Sequence, residues 1–153
     1  MSKVLVVYCS MTGNTKAAAE AVAAGATAAG ADVLLREWSQ AGPAELVACD
    51  AVALGSYDAF SYIGGGLKDF FDRVFYPTQG SITDKPYAGF ITHGGGGKAI
   101  DSLISLAASL KLQRAAEPVL VVGMPDEAAT EALKALGAKL AGGCGCGCGC
   151  SCG

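Results

Sequence analysis

Five short apolar runs, at residues 3–8, 33–36, 51–55, 87–92 and 119–122, alternate along the chain with stretches of helical character. The runs are continuously apolar and rich in β-branched residues. Strands that show one face to water alternate apolar and polar residues, whereas parallel strands covered by helices on both faces read as unbroken apolar runs. Repeated strand–helix units of this length close by right-handed crossovers into a doubly wound sheet. The expected fold is therefore α/β, a five-stranded parallel sheet of order 2-1-3-4-5 with helices on both faces. Helices are expected at 15–29, 43–48, 66–75, 98–112 and 126–140. Gly30 supplies a stop for the first and Asp126 an N-cap for the last.

That topology also says where to look for function. Ligands of such sheets sit outside the carboxyl ends of the strands, where the strand order reverses. The loops opening near Cys9, Ser56 and His93 are the ones in question. Composition fits one domain with a core: 52% of the 153 residues are hydrophobic and 16% charged. A net charge of -3 without a basic patch speaks against nucleic acid as a partner. No apolar run reaches the ~20 residues of a membrane helix. Met1-Ser2-Lys3 leads straight into Val4-Leu5-Val6-Val7, which reads as a strand and not a signal peptide, so the expected location is cytoplasmic.

The first loop is Ser10-Met11-Thr12-Gly13-Asn14-Thr15. It puts three hydroxyls and an amide at the mouth of a helix, where unpaired N–H groups and partial positive charge favour an anion. Gly13 permits the tight turn. Ser10, Thr12 and Thr15 can add O–H donors. The loop lacks the Gly-Lys pair of a triphosphate-binding loop and the three spaced glycines of a dinucleotide fingerprint. A neutral cradle of this kind suits one terminal phosphate monoester, while plain N-capping accounts for one or two of the hydroxyls.

Ser10-x-Thr12-Gly13-x-Thr15 resembles the FMN phosphate loop of flavodoxins, in its place after the first strand. Gly55-Ser56, Phe60 and Lys68-Asp69-Phe70-Phe71-Asp72-Arg73 resemble the matching stretch of flavodoxin-like reductases, without gaps between Gly55 and Lys68. The resemblance runs from Lys3 to about Ala141, which makes residues 1–141 the expected FMN-binding domain. It implies that Ser10 to Thr15 hold the phosphate and that Ser56, Tyr57, Asp58, Ala59 and Phe60 line the flavin ring. Tyr57 stands where proline is usual and Ala59 where tyrosine is usual. The aromatic that stacks on the ring is thus Tyr57, Phe60 or Tyr62, or these rings pack in the core. Asp58 faces either the ring or solvent. Lys68, Asp72 and Arg73 are expected to cap and orient their helix, with Phe70 and Phe71 in the core.

Thr92-His93-Gly94-Gly95-Gly96-Gly97 follows the fourth run. Consecutive glycines admit a flat ligand close to backbone N–H groups. Thr92, His93, Gly94 and Gly95 complete the expected cofactor set. His93, the single histidine, is the candidate catalytic group, because in related quinone reductases a histidine of this loop lies near flavin and substrate. Cys9, at the end of a strand, reads as an inert core thiol, and Cys49, just before Asp50, shows no partner in the sequence.

Residues 142–153 form a Cys-Gly repeat with Cys144, Cys146, Cys148, Cys150 and Cys152. Such a segment has no core-forming side chains and is expected to be a flexible tail. Its thiols suit a soft metal ion, zinc or copper. The expected function is electron transfer through FMN to a redox partner protein or a small acceptor. The alternatives are an FMN-dependent NAD(P)H:quinone-type reductase and a metal-delivery protein that uses the tail. Relatives of this type form dimers and tetramers, so a homo-oligomer is one expected assembly.

Overall fold

The computed structural model describes residues 2–142. Its elements, in order, are β1 (Lys3–Tyr8), α1 (Asn14–Ala28), β2 (Asp32–Glu37), a 3-10 turn (Trp38–Gln40), α2 (Pro43–Ala48), β3 (Ala51–Ala59), β4 (Tyr62–Ile63), α3 (Gly65–Phe75), β5 (Pro86–His93), α4 (Ala99–Ser109), β6 (Gln113–Arg114), β7 (Val119–Val122) and α5 (Glu127–Ala141). The sheet runs β2-β1-β3-β5, with β6 and β7 both on the far edge of β5. This is the expected 2-1-3-4-5 order, with the fifth strand broken in two. Gln113 and Arg114 pair with Pro86 and Tyr87, and Val119 pairs with Phe90. Residues 115–118 bulge between them. Pro118 has no N–H to give a ladder, and a broken edge of this kind discourages pairing with another chain.

Both sheet faces are covered. Val4, Val6, Ala53, Ala88 and Phe90 pack under α1 and α5 with Val22, Leu133 and Leu140. Leu5, Val7, Val52, Leu54 and Ile91 pack against Phe70, Phe71, Val74 and Leu103 of α3 and α4. Alternate residues of the central strands β1, β3 and β5 thus feed opposite cores and are buried on both faces, which is why those runs read as unbroken; in the edge strand β7, Leu120 and Val122 are exposed although the run is apolar throughout. α1 stops in a Schellman arrangement: Gly30 takes φ +96, its N–H donates to the Thr27 carbonyl at 2.9 Å, and the Ala31 N–H donates to Ala26 at 3.1 Å. Asp126 caps α5, accepting from the Ala129 N–H at 2.8 Å.

The strand at 51–55 extends four residues further than periodicity alone suggests. Asp58 and Ala59 pair antiparallel with Ile63 and Tyr62, so β3 and β4 form a hairpin. Ser56 to Ala59 are therefore strand residues and not open loop. The partners of Ser56 and Tyr57, Ile91 and Thr92, lie outside any local sequence window, whereas Asp58 and Ala59 pair with β4 across a two-residue turn.

Candidate functional site

The three loops meet at the carboxyl ends of β1, β3 and β5. Ser10 Oγ accepts from the Gly13 N–H at 3.1 Å and from the Lys16 N–H at 3.2 Å. It stands in as the cap of α1, because the residue at the N-cap position, Gly13 at φ +98, has no side chain to cap with. Capping therefore accounts for the Ser10 oxygen but not for its hydrogen. With its acceptor sites taken by two N–H groups, the hydroxyl is set as a donor. No hydrogen bond within the described residues engages the N–H groups of Asn14 and Thr15 at the helix mouth. Thr12 and Met11 are exposed, and no acidic residue lies in the first turn. The positive end of α1 thus faces a rim of uncharged donors, the arrangement that takes an anion.

Thr15 is almost wholly buried, 1% exposed, and its hydroxyl lies 2.7 Å from that of Thr92. Periodicity and motif place both residues at the site. The structure joins them to each other, 77 positions apart.

The β3–β4 hairpin sorts the three aromatics. Phe60 and Ser61 form its two-residue turn with φ of 55 and 68, values that a type I′ turn demands and that glycine and asparagine normally supply. A bulky side chain in this region is strained by about 1–2 kcal/mol. Phe60 is fully exposed at the tip. Tyr62 is partly exposed beside it. Tyr57 turns the other way, its ring against Gly64, where a methyl group would come within 2.6 Å of the phenol carbon. Burial raises the pKa of the Tyr57 phenol, and the neighbouring Cys9 thiol raises it further. Tyr57 therefore packs on the α3 side of the sheet.

Asp58 is half-buried, and both of its carboxylate oxygens are engaged by backbone. One carboxylate oxygen accepts from the Ser61 N–H at 2.7 Å and the other from the Ala99 N–H at 3.1 Å, at the start of α4. It pins the hairpin to the helix that follows the glycine loop. Ser102 repeats the link: its hydroxyl accepts from the Ile63 N–H at 3.1 Å and donates to the Ala99 carbonyl at 2.8 Å. The spacing from Asp58 to Ser61 fits a side-chain turn, but nothing local marked Ser102. Ser56 is buried, donating to the Tyr57 carbonyl at 2.8 Å and accepting from the Gly64 N–H at 2.7 Å.

In the third loop, Gly94 and Gly95 are exposed, and a methyl group added at either, or at Gly96, would meet nothing within 4 Å. Gly97, at φ +64, lies under the His93 ring, 3.1 Å from it to an added methyl. His93 Nδ1 is buried and has no hydrogen-bond partner among the described residues. An orphaned polar atom of this kind calls for a partner from outside the chain. The open glycine backbone, that nitrogen and the neutral helix mouth together fit a flat heterocycle carrying one phosphate. Two open pockets lie at the opposite end of the sheet, one of about 170 Å³ beside Phe75 and Lys111 and one of about 230 Å³ beside Asp32 and Cys49. The loop site is an open rim, and its chemistry sets it apart from both.

Other sequence-predicted residues hold the frame. Arg73 donates to Asp69 at 2.7 Å and to the Trp38 and Ala41 carbonyls at 2.6 and 2.9 Å. Lys68 pairs with Asp72 at 2.8 Å, and Phe70 and Phe71 are buried. Among the described residues no group of three or more His, Cys, Asp or Glu side chains could hold a metal. The five tail cysteines lie outside the described residues. No helix among the described residues is long and apolar enough to cross a membrane.

A doubly wound sheet with a neutral anion cradle after its first strand and a glycine loop after its fourth defines a flavodoxin-like protein. The family model described as flavodoxin matches residues 6–137, and the chain belongs to that family. It is 38% identical over 98 residues to a flavodoxin of Aquifex aeolicus, a stretch covering 63% of this chain and 53% of the relative. The chain thus spans about half the length of that curated relative. An archaeal flavodoxin structure superposes with a TM-score of 0.83 at 27% identity, covering 91% of this chain and 96% of the other. The two-electron reduced flavodoxin of Megasphaera elsdenii gives 0.78 at 28%, covering 90% and 98%.

Proposed function

We propose that the three loops hold FMN and that the protein passes electrons through it to a redox partner. Family membership supports an FMN-binding electron-transfer protein. The observation that carries the residue assignment is the mouth of α1, with two unengaged N–H groups, the Ser10 hydroxyl oriented as a donor and no charge in the loop. FMN supplies the redox chemistry when bound; the chain binds, orients and shields it. Asn14, Thr15, Ser10 and Thr12 take the phosphate. Gly94 and Gly95 offer backbone to the ring edge, and His93 Nδ1 finds there the partner it lacks. Phe60, exposed at its turn, is the aromatic positioned to cover the ring, and Tyr57 belongs to the core. His93 favours a second reading, a quinone-type reductase with that imidazole beside the reacting ring. Robust steady-state turnover of NADH or NADPH with quinones by the isolated protein would decide for it.

The test is an absorbance spectrum of purified full-length protein, with flavin bands expected near one FMN per chain. Protein that stays colourless with added FMN refutes the reading. Thr12→Val, which removes an exposed hydroxyl, is expected to weaken FMN binding by about 1–3 kcal/mol through the lost hydrogen bond. An unchanged dissociation constant would show the phosphate to lie elsewhere.

A further inference from the structure

We propose that Thr92 is a positioning residue for the phosphate, acting through Thr15 and not by contact with the ligand. The inference rests on the reading of the α1 mouth as the phosphate site. Thr92 belongs to β5, held in register between Tyr57 of β3 and Val121 of β7, so its backbone cannot follow a ligand. It shares a strand face with Phe90, the face that α1 covers. From there its hydroxyl reaches the Thr15 hydroxyl at 2.7 Å, with both side chains nearly completely buried.

A pair of hydroxyls has two hydrogens and one mutual bond, so one hydrogen is left over. Either oxygen can be the donor in the isolated pair. An anion at the mouth of α1 removes that freedom. Thr15, in the first turn of α1, then gives its hydrogen to the anion and accepts from Thr92. Ser10 is already polarised in this sense by the Gly13 and Lys16 N–H groups. Thr92 does for Thr15 what two backbone amides do for Ser10. It fills the acceptor site and turns the hydroxyl outward as a donor. The strand bearing His93 and the glycine loop is thereby tied to the phosphate cradle by a buried hydrogen bond.

The experiment titrates the full-length protein with FMN and with riboflavin, which has the ring without the phosphate. It compares wild type with Thr92→Val, Thr92→Ser, Thr15→Val and the Thr15→Val/Thr92→Val double variant. Thr92→Val is expected to weaken FMN binding about three- to tenfold, the span of one neutral hydrogen bond, and to leave riboflavin binding unchanged. Thr92→Ser, which keeps the hydroxyl, is expected to restore FMN affinity. In the Thr15→Val background, Thr92→Val is expected to add nothing, since the coupled partner is gone. Equal weakening of both flavins by Thr92→Val would mark a packing role and overturn the proposal. So would unchanged FMN affinity, or a full Thr92→Val effect without Thr15. Wild-type protein that binds riboflavin as tightly as FMN would instead refute the phosphate site itself.

Discussion

α1 and α5 cross with almost no space between their backbones, and Gly137→Ala measures how much the fold depends on that approach. A methyl group at Gly137 would lie 2.0 Å from the Val22 carbonyl oxygen and 2.9 Å from the Ala26 nitrogen. Gly25 faces α5 in the same way, 2.0 Å from the Lys134 carbonyl oxygen. Unstrained non-bonded contact needs about 3.5 Å, and a gap of about 0.5–1 Å forfeits a quarter to a half of the dispersion well. The clashing atoms are backbone, so no side chain can swing aside and the helices must part by roughly 1 Å or more. Overpacking of this kind costs about 1–3 kcal/mol. Alanine returns about 0.5–1 kcal/mol through its helical preference over glycine. The net expectation is a loss centred on about 1 kcal/mol and reaching about 2.5 kcal/mol, which at this chain length lowers Tm by roughly 2–10 °C. Urea unfolding followed by far-UV circular dichroism should show a lower midpoint at unchanged slope. The Gly25→Ala/Gly137→Ala pair should cost less than the sum of its members, because one separation relieves both clashes. A Gly137→Ala midpoint at or above wild type would mean that helix propensity outweighs the contact and would refute the close-packing argument.

Replacing Phe60-Ser61 by Asn-Gly should stabilise flavin-free protein by about 1–2 kcal/mol, since both residues suit the left-handed turn. The same change should weaken FMN binding by about 0.5–1.5 kcal/mol through the lost aromatic contact. Urea midpoints and FMN titration check the two halves, and a less stable variant would sink the strain argument. Alkali supplies a pH test. Burial raises the pKa of the Tyr57 and Tyr87 phenols and of the Cys49 thiol. Raised folded-state values mean that the folded chain keeps these protons longer than the unfolded one. Their stabilisation is complete below the unfolded values, about 8.5 for the thiol and 10 for the phenols, and is lost as pH rises through the folded ones. Urea midpoints should hold near neutrality and fall above about pH 9 to 10; midpoints that rise with alkali would contradict the burial seen here.

Much of this was legible locally. The unbroken apolar runs announced the central strands covered on both faces, and the hydroxyls of Ser10, Thr12 and Thr15 drew attention to the mouth of α1, where the Asn14 and Thr15 N–H groups are unengaged among the described residues. Gly30 and Asp126 marked helix ends because capping is settled within one turn of chain. The β3–β4 hairpin was less visible, since Phe60-Ser61 is not a sequence that advertises a type I′ turn. Its geometry is imposed by the pairing of Asp58 with Ile63 and by the hydrogen bonds to Ala99 and Ser102.

The order of apolar runs and breaks in the chain determined the sheet and the helices, because burial acts on each segment through its own periodicity. Tertiary structure alone decided how the side chains of the three loops are engaged. It joined Thr15 to Thr92, turned Tyr57 inward and Phe60 outward, and left His93 Nδ1 without a partner among the described residues. Hydrogen-bond partners dozens of positions apart become neighbours only through strand register and helix packing, and no window of sequence contains that information.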